Sequence, residues 1–135
     1  MTFEAMANAI RSRFKTQIAD ANSLPTQYDN DPTEPDKTGL WCRLSINPGD
    51  SFQKSIGAPG ANYHRTVGVM FAQLFVSVGK GDKALYEMAD LIKTAFRCVA
   101  ASSVHFGEPS IRKIGRTENY WQLNVNCPFY ADDIG

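Results

Sequence analysis

Residues 66–78, Thr-Val-Gly-Val-Met-Phe-Ala-Gln-Leu-Phe-Val-Ser-Val, constrain this chain more than any other segment. β-Branched and aromatic side chains fill the run, which reads as strand rather than helix. Thirteen residues is long for a strand and predicts a central position in a sheet. Its even positions, Gly68, Met70, Ala72, Leu74, Val76 and Val78, make one continuous apolar face. The odd positions carry Val67, Val69, Phe71 and Phe75 and are broken only by Gln73 and Ser77. A sheet built on this strand needs cover on both faces.

Two helices are available to cover one of them. Phe3, Met6, Ala7, Ile10, Phe14 and Ile18 recur at helical spacing and predict a helix over 3–19. Thr2 is placed to cap it, Glu4 sits in its first turn, and it should stop before residues 22–25. Leu85, Met88, Ala89, Ile92, Phe96 and Val99 predict a second helix over 83–99, with Gly81-Asp82 as its start signal and Arg97 in its last turn.

Elsewhere the period is two. Leu40, Cys42, Leu44 and Ile46 alternate with Trp41, Arg43, Ser45 and Asn47. Trp121, Leu123, Val125, Cys127 and Phe129 alternate with Tyr120, Gln122, Asn124 and Asn126. Residues 111–115 should pair with that last strand through a polar turn at 116–119. Residues 29–37 (two prolines and four acids) and residues 48–64 (three glycines and two prolines) read as loops. The second is expected to be mobile in a free subunit and ordered on assembly. The 135 residues fit a single domain, 1–135. The expected fold is α+β: a mostly antiparallel mixed sheet with two helices packed on one face, in the order α-β-β-β-α-β-β.

Little in the chain suggests chemistry. Fourteen basic and fourteen acidic residues balance, which argues against binding nucleic acid through bulk positive charge and against a polybasic membrane binder. No run approaches the length of a membrane span. Three widely spaced cysteines, Cys42, Cys98 and Cys127, cannot all pair, and a reducing compartment is the simpler reading. The first residues lack a signal-peptide pattern, so a soluble, cytosolic product is expected. His64 and His105 have no metal-ligand spacing around them. Gly79-Lys80-Gly81-Asp82 lacks the spacing of a phosphate loop and reads as a strand-to-helix turn. Asp132-Asp133 reads as solvated charge in a terminal tail. Arg112, Lys113 and Arg116 read as a solvated basic turn, with an anion or acidic-partner contact as the alternative. No catalytic residue, metal or cofactor is expected.

The two-faced strand is harder to reconcile with a monomer. Helices on one face leave Val67, Val69, Phe71 and Phe75 on the other, a contiguous apolar patch of the kind soluble monomers avoid. Association with other protein is the economical explanation. Trp41 and Tyr120 would share that face if Cys42 points inward, and Gln73 would supply a directional hydrogen bond to a neighbour. A bulge near Gln73 that swaps the faces is the alternative.

Several segments, taken in order, resemble the tail terminator-like proteins of tailed bacteriophages. They are Gln27-Tyr28-Asp29-Asn30, the strand from Leu40 to Ile46, Ser55-Ile56-Gly57, Arg65 through Val76, Gly79-Lys80-Gly81, and Tyr120 through Phe129. The resemblance spans essentially the whole chain, with Ser77-Val78 as a departure where proline commonly precedes the glycine turn. It implies a non-catalytic virion protein of the tail, assembled in the host bacterial cytoplasm. Such proteins form a ring, typically six-fold, that caps the tail tube, stops its polymerisation and offers a surface to head-completion proteins. Expected partners are other copies of the chain, the tube protein and a head-completion or connector protein. Trp41, Val67, Val69, Phe71, Gln73, Phe75 and Tyr120 are the expected subunit interface. Phe52, Gln53, Lys54, Ile56, Tyr63 and Arg65 are the expected contact with tube or connector. Another head–tail connector or tail-completion protein is the nearer alternative, and a small ligand-binding or enzymatic α+β domain the more distant one.

Overall fold

The computed structural model describes residues 2–134, the side chain of Ile134 excepted. The ends of the expected domain, Met1 and Gly135, lie outside the described residues. Helix α1 spans Phe3–Phe14 and continues as one π-helical turn, Lys15–Ala19. The Thr2 Oγ1 accepts from the Ala5 amide at 3.2 Å, the expected cap. Strands β1 (Thr26–Tyr28), β2 (Trp41–Gln53) and β3 (Tyr63–Ser77) precede helix α2 (Lys83–Phe96). Two short strands, β4 (Ala100–Ala101) and β5 (Val104–Phe106), lead to β6 (Ser110–Thr117) and β7 (Tyr120–Ile134). The order α-β-β-β-α-β-β holds, with the π-helical turn and the short β4–β5 hairpin added to it.

The sheet runs β1-β2-β3-β7-β5-β4, and β6 also pairs with β7. Only β1 and β2 are parallel; the other pairs are antiparallel. Strand β3 is central, as its composition requires, and pairs with β7 along its whole length, from Tyr63 opposite Ile134 to Ser77 opposite Tyr120. The far edge of β7 is shared: β6 takes residues 120–126 and β5 takes residues 129–131.

Both helices lie on one face. Met6, Ala7, Ile10, Phe14 and Ile18 of the first helical segment meet Leu85, Met88, Ala89, Ile92 and Phe96 of α2 in one core. The sheet contributes Cys42, Leu44, Ile46, Met70, Ala72, Leu74, Val76, Leu123, Val125, Cys127 and Phe129. The Arg13 guanidinium donates to the Ala95 carbonyl at 2.7 and 3.2 Å, so α1 satisfies a carbonyl that the end of α2 leaves without an intrahelical partner. Helix α2 closes at Phe96, which puts Arg97 just beyond it rather than in its last turn.

One loop expectation is corrected. Much of 48–64 is strand, because β2 and β3 continue past the core as a hairpin that pairs Ser51–Thr66, Phe52–Arg65 and Gln53–His64. Pro48 is tolerated there for two reasons. Strand β1 reaches only Leu44, so beyond it β2 is an edge, and a bulge follows between Pro48 and Ser51. The connecting loop is reduced to residues 54–62. The terminal hairpin turn is likewise shorter than expected, with Glu118-Asn119 between Thr117 and Tyr120, and Glu118 adopts a left-handed φ of 56°.

Candidate interaction surface

The face of the sheet away from the helices carries the odd-numbered side chains of β3 and, as far as its bulge, of β2, with the even-numbered ones of β7. In register they form rows: Trp41–Phe75–Gln122, Arg43–Gln73–Asn124, Ser45–Phe71–Asn126 and Asn47–Val69–Pro128. Val67 and Tyr130 continue below them. The face divides into three zones.

At the upper end the chain covers itself. The Trp41 and Phe75 rings stack at 4.3 Å and 16°, and Tyr120 meets both edge-on, at 5.4 and 6.1 Å. The Arg43 guanidinium lies 5.7 Å from the Trp41 ring and 5.5 Å from the Phe75 ring, while the Lys37 ammonium sits 4.8 Å over Trp41. Trp41 is 2% exposed and Phe75 4%. Their expected exposure is thus corrected: the loop after β1 brings Lys37 over Trp41, and the aromatic side chains bury one another. Tyr120 stays half-buried.

The middle zone is polar. Gln73 lies between Arg43 and Asn124 in register, and a chain of hydrogen bonds runs Thr117–Gln122–Asn124, at 2.9 and 2.8 Å. No bulge interrupts β3 at Gln73 in either of its ladders, so the faces do not swap there.

The lower zone is the apolar one. Val67, Val69 and Phe71, all half-buried, form with Pro48, Phe52, Pro128 and Tyr130 an open groove of about 590 Å³. At its end Arg65 holds Asp132 through two hydrogen bonds of 2.8 and 3.0 Å, and its guanidinium lies 3.9 Å over the Tyr130 ring. Those hydrogen bonds hold the Asp132 carboxyl below its ordinary value and push Arg65 further up. The Lys54 ammonium stands 3.6 Å from the same carboxylate. On the other side of Tyr130, His105 stacks at 5.0 Å and 18°. Sequence reasoning passed over Pro128 and Tyr130. The alternation of the last strand marks them, since they fall in phase with Tyr120 and Gln122, opposite the core set.

The hairpin carries the remaining residues expected to meet a partner. Phe52 and Tyr63 are half-exposed at 49% and 50%, and Ile56 in the loop is 89% exposed. Gln53 donates to the Ser55 carbonyl at 2.7 Å and stiffens the start of the loop. The expected set is therefore split: Phe52, Tyr63 and Ile56 present apolar surface, while Lys54 and Arg65 are engaged with Asp132.

This surface is suited to contact. Cys42 and Cys127 lie in the core, where burial pushes the Cys42 thiol up and the Cys127 thiol to about 12. Among the described residues no group of three or more His, Cys, Asp or Glu side chains is gathered as metal ligands would be, and no helix is long and apolar enough to cross a membrane.

Comparison with known proteins agrees with the fold. The family described as phage tail terminator protein matches residues 5–129. One solved structure superposes with a TM-score of 0.65, covering 93% of this chain and 94% of its own at 14% identity, a likeness that carries the fold alone. No curated protein matches the sequence.

Proposed function

The chain belongs to the phage tail terminator protein family and is a structural protein of the phage tail; from that premise we propose that it closes into a ring of six copies on the last tier of the tail tube. The ring stops tube polymerisation and presents its other surface to a head-completion protein, all within the host bacterial cytoplasm. The carrying observation is the apolar groove on the helix-free face, with Val67, Val69 and Phe71 at its floor and no helix to cover it. Completing the burial of a half-covered Phe or Val side chain contributes about half of the roughly 1.5–3 kcal/mol of a full burial, and several such groups per contact suffice for assembly. Ring closure needs two different patches of each subunit to meet, so the groove takes a surface other than itself from the next copy. The β2–β3 hairpin, with Phe52, Ile56 and Tyr63, reaches the tube or connector. The role is contact throughout, with no catalytic step, cofactor or sequence-specific nucleic acid.

Electron microscopy of particles assembled without this chain tests the reading. Overlong, polydisperse tails are the expected result. Tails of normal length without heads would instead assign the chain to head–tail joining.

A further inference from the structure

The two edges of the sheet carry opposite charge, and the ring reading leaves that unexplained. Beyond β1, residues 29–37 hold four carboxylates, Asp29, Asp31, Glu34 and Asp36, against the single ammonium of Lys37. The segment is held in place rather than loose. Asp29 accepts from the Ser45 hydroxyl and the Ile46 amide at 2.9 and 3.0 Å. Asp31 accepts from the Thr33 amide at 2.9 Å, and Asp36 from the Thr38 amide and hydroxyl at 3.0 and 2.7 Å. Among the described residues Glu34 is the one of these four that forms an ion pair, at 2.8 Å with Lys37.

At the other edge, β6 pairs with β7 on one side only. It presents Arg112, Lys113 and Arg116, all exposed. Among the described residues none of the three lies within ion-pair distance of a carboxylate. Lys113 rests 5.6 Å over Trp121, and Arg116 donates to the Glu118 carbonyl at 3.2 Å.

The register relates the two edges. Arg112 opposes Asn124, which opposes Gln73, which opposes Arg43. Ser110, Asn126, Phe71 and Ser45 make the adjoining row, and Ser45 holds Asp29. Arg112 and Asp29 thus attach to adjoining rows at opposite sides of the sheet. Copies set side by side bring the basic edge of one against the acidic edge of the next. Such a head-to-tail contact closes a ring when the rotation from copy to copy divides the full turn.

We propose that the β6 edge of each subunit, through Arg112, Lys113 and Arg116, docks on the acidic 29–36 segment of the next copy. The inference rests on the ring reading and adds what orients the subunits. Opposite charges at the two edges favour head-to-tail contact and oppose like edges meeting. Three partly exposed ion pairs are together worth on the order of a tenfold change in association, and salt should screen them.

Sedimentation velocity, with circular dichroism as the check on folding, tests the proposal. Unchanged protein should assemble at about 20 mM salt and lose roughly tenfold in association at about 500 mM. The triple variant R112E/K113E/R116E has two acidic edges, and D31K/E34K/D36K has two basic edges; Asp29 is spared because its bonds tie the segment to β2, whereas those of Asp31 and Asp36 are local. Each alone should remain monomeric, and an equal mixture should form rings with the two kinds alternating. Rings formed by either variant alone, or assembly of unchanged protein indifferent to salt, would overturn the edge contact while leaving the ring. Should a variant unfold, the salt dependence of unchanged protein decides by itself. Unchanged protein that stays monomeric up to about millimolar concentration at every salt would remove the edge contact, while the microscopy of particles decides the ring on the tail.

Discussion

Trp41→Ala is expected to lower the stability of the subunit by about 3–5 kcal/mol, the range for deleting a large buried aromatic side chain. A small domain has only some 5–15 kcal/mol to lose. The indole is 2% exposed, stacked on Phe75 and edged by Tyr120. Phe75→Asp should do at least as much damage. Arg43, close over that ring, would offset part of the new charge, but the lost stacking and the cavity under Trp41 would remain. Urea denaturation followed by near- and far-ultraviolet circular dichroism reads both variants. A Trp41→Ala protein with an unchanged midpoint would mean that the aromatic cluster does not hold the upper end of the sheet.

Gly68→Val should be comparably severe for a different reason. Gly68 sits in β3 directly opposite Phe129, whose ring packs across it. A Cβ at this position would stand 2.5 Å from Phe129 Cζ and 2.7 Å from the Asn47 carbonyl oxygen. The Phe129 ring is 3% exposed and would have to shift within a packed core. The carbonyl belongs to the paired strand and moves only if the β2–β3 ladder moves. Gly68→Ala should therefore cost about 1–3 kcal/mol, the usual price of overpacking, and Gly68→Val more. Thermal melts of the two variants, stepping downward in that order, are the expected result. Melting temperatures equal to that of the unchanged protein would show that the contact yields freely.

Much of this fold is legible from side-chain period. The stripe from Phe3 to Ile18, the alternation around Cys42 and the two-faced run at 66–78 each describe an element that the structure contains. What the period does not carry is cover supplied from a distance. Trp41, Phe75 and Tyr120 lie far apart in sequence, and only the registers pairing Trp41 with Phe75 and Ser77 with Tyr120 bring them together. Lys37 reaches the cluster from a segment whose prolines and acids read as solvent-facing loop. The hairpin was hidden by its composition, since Pro48, Gly49 and Asp50 disfavour strand until an open edge and a bulge accommodate them. Of the expected interface set, Val67, Val69 and Phe71 keep accessible surface in the subunit, whereas Trp41 and Phe75 are spent on its own stability.

That division makes Phe71 the residue on which the account turns. It lies half-buried at the head of the apolar groove, one row beyond the polar zone and away from the Trp41–Phe75–Tyr120 cluster. The most direct measurement pairs circular dichroism with light scattering on Phe71→Asp, followed by its addition to uncapped tails. The predicted result is a native spectrum, a monomeric mass and tails that continue to lengthen. A folded Phe71→Asp protein that assembles and caps tails like the unchanged chain would contradict the assignment of the helix-free face as the surface where subunits meet.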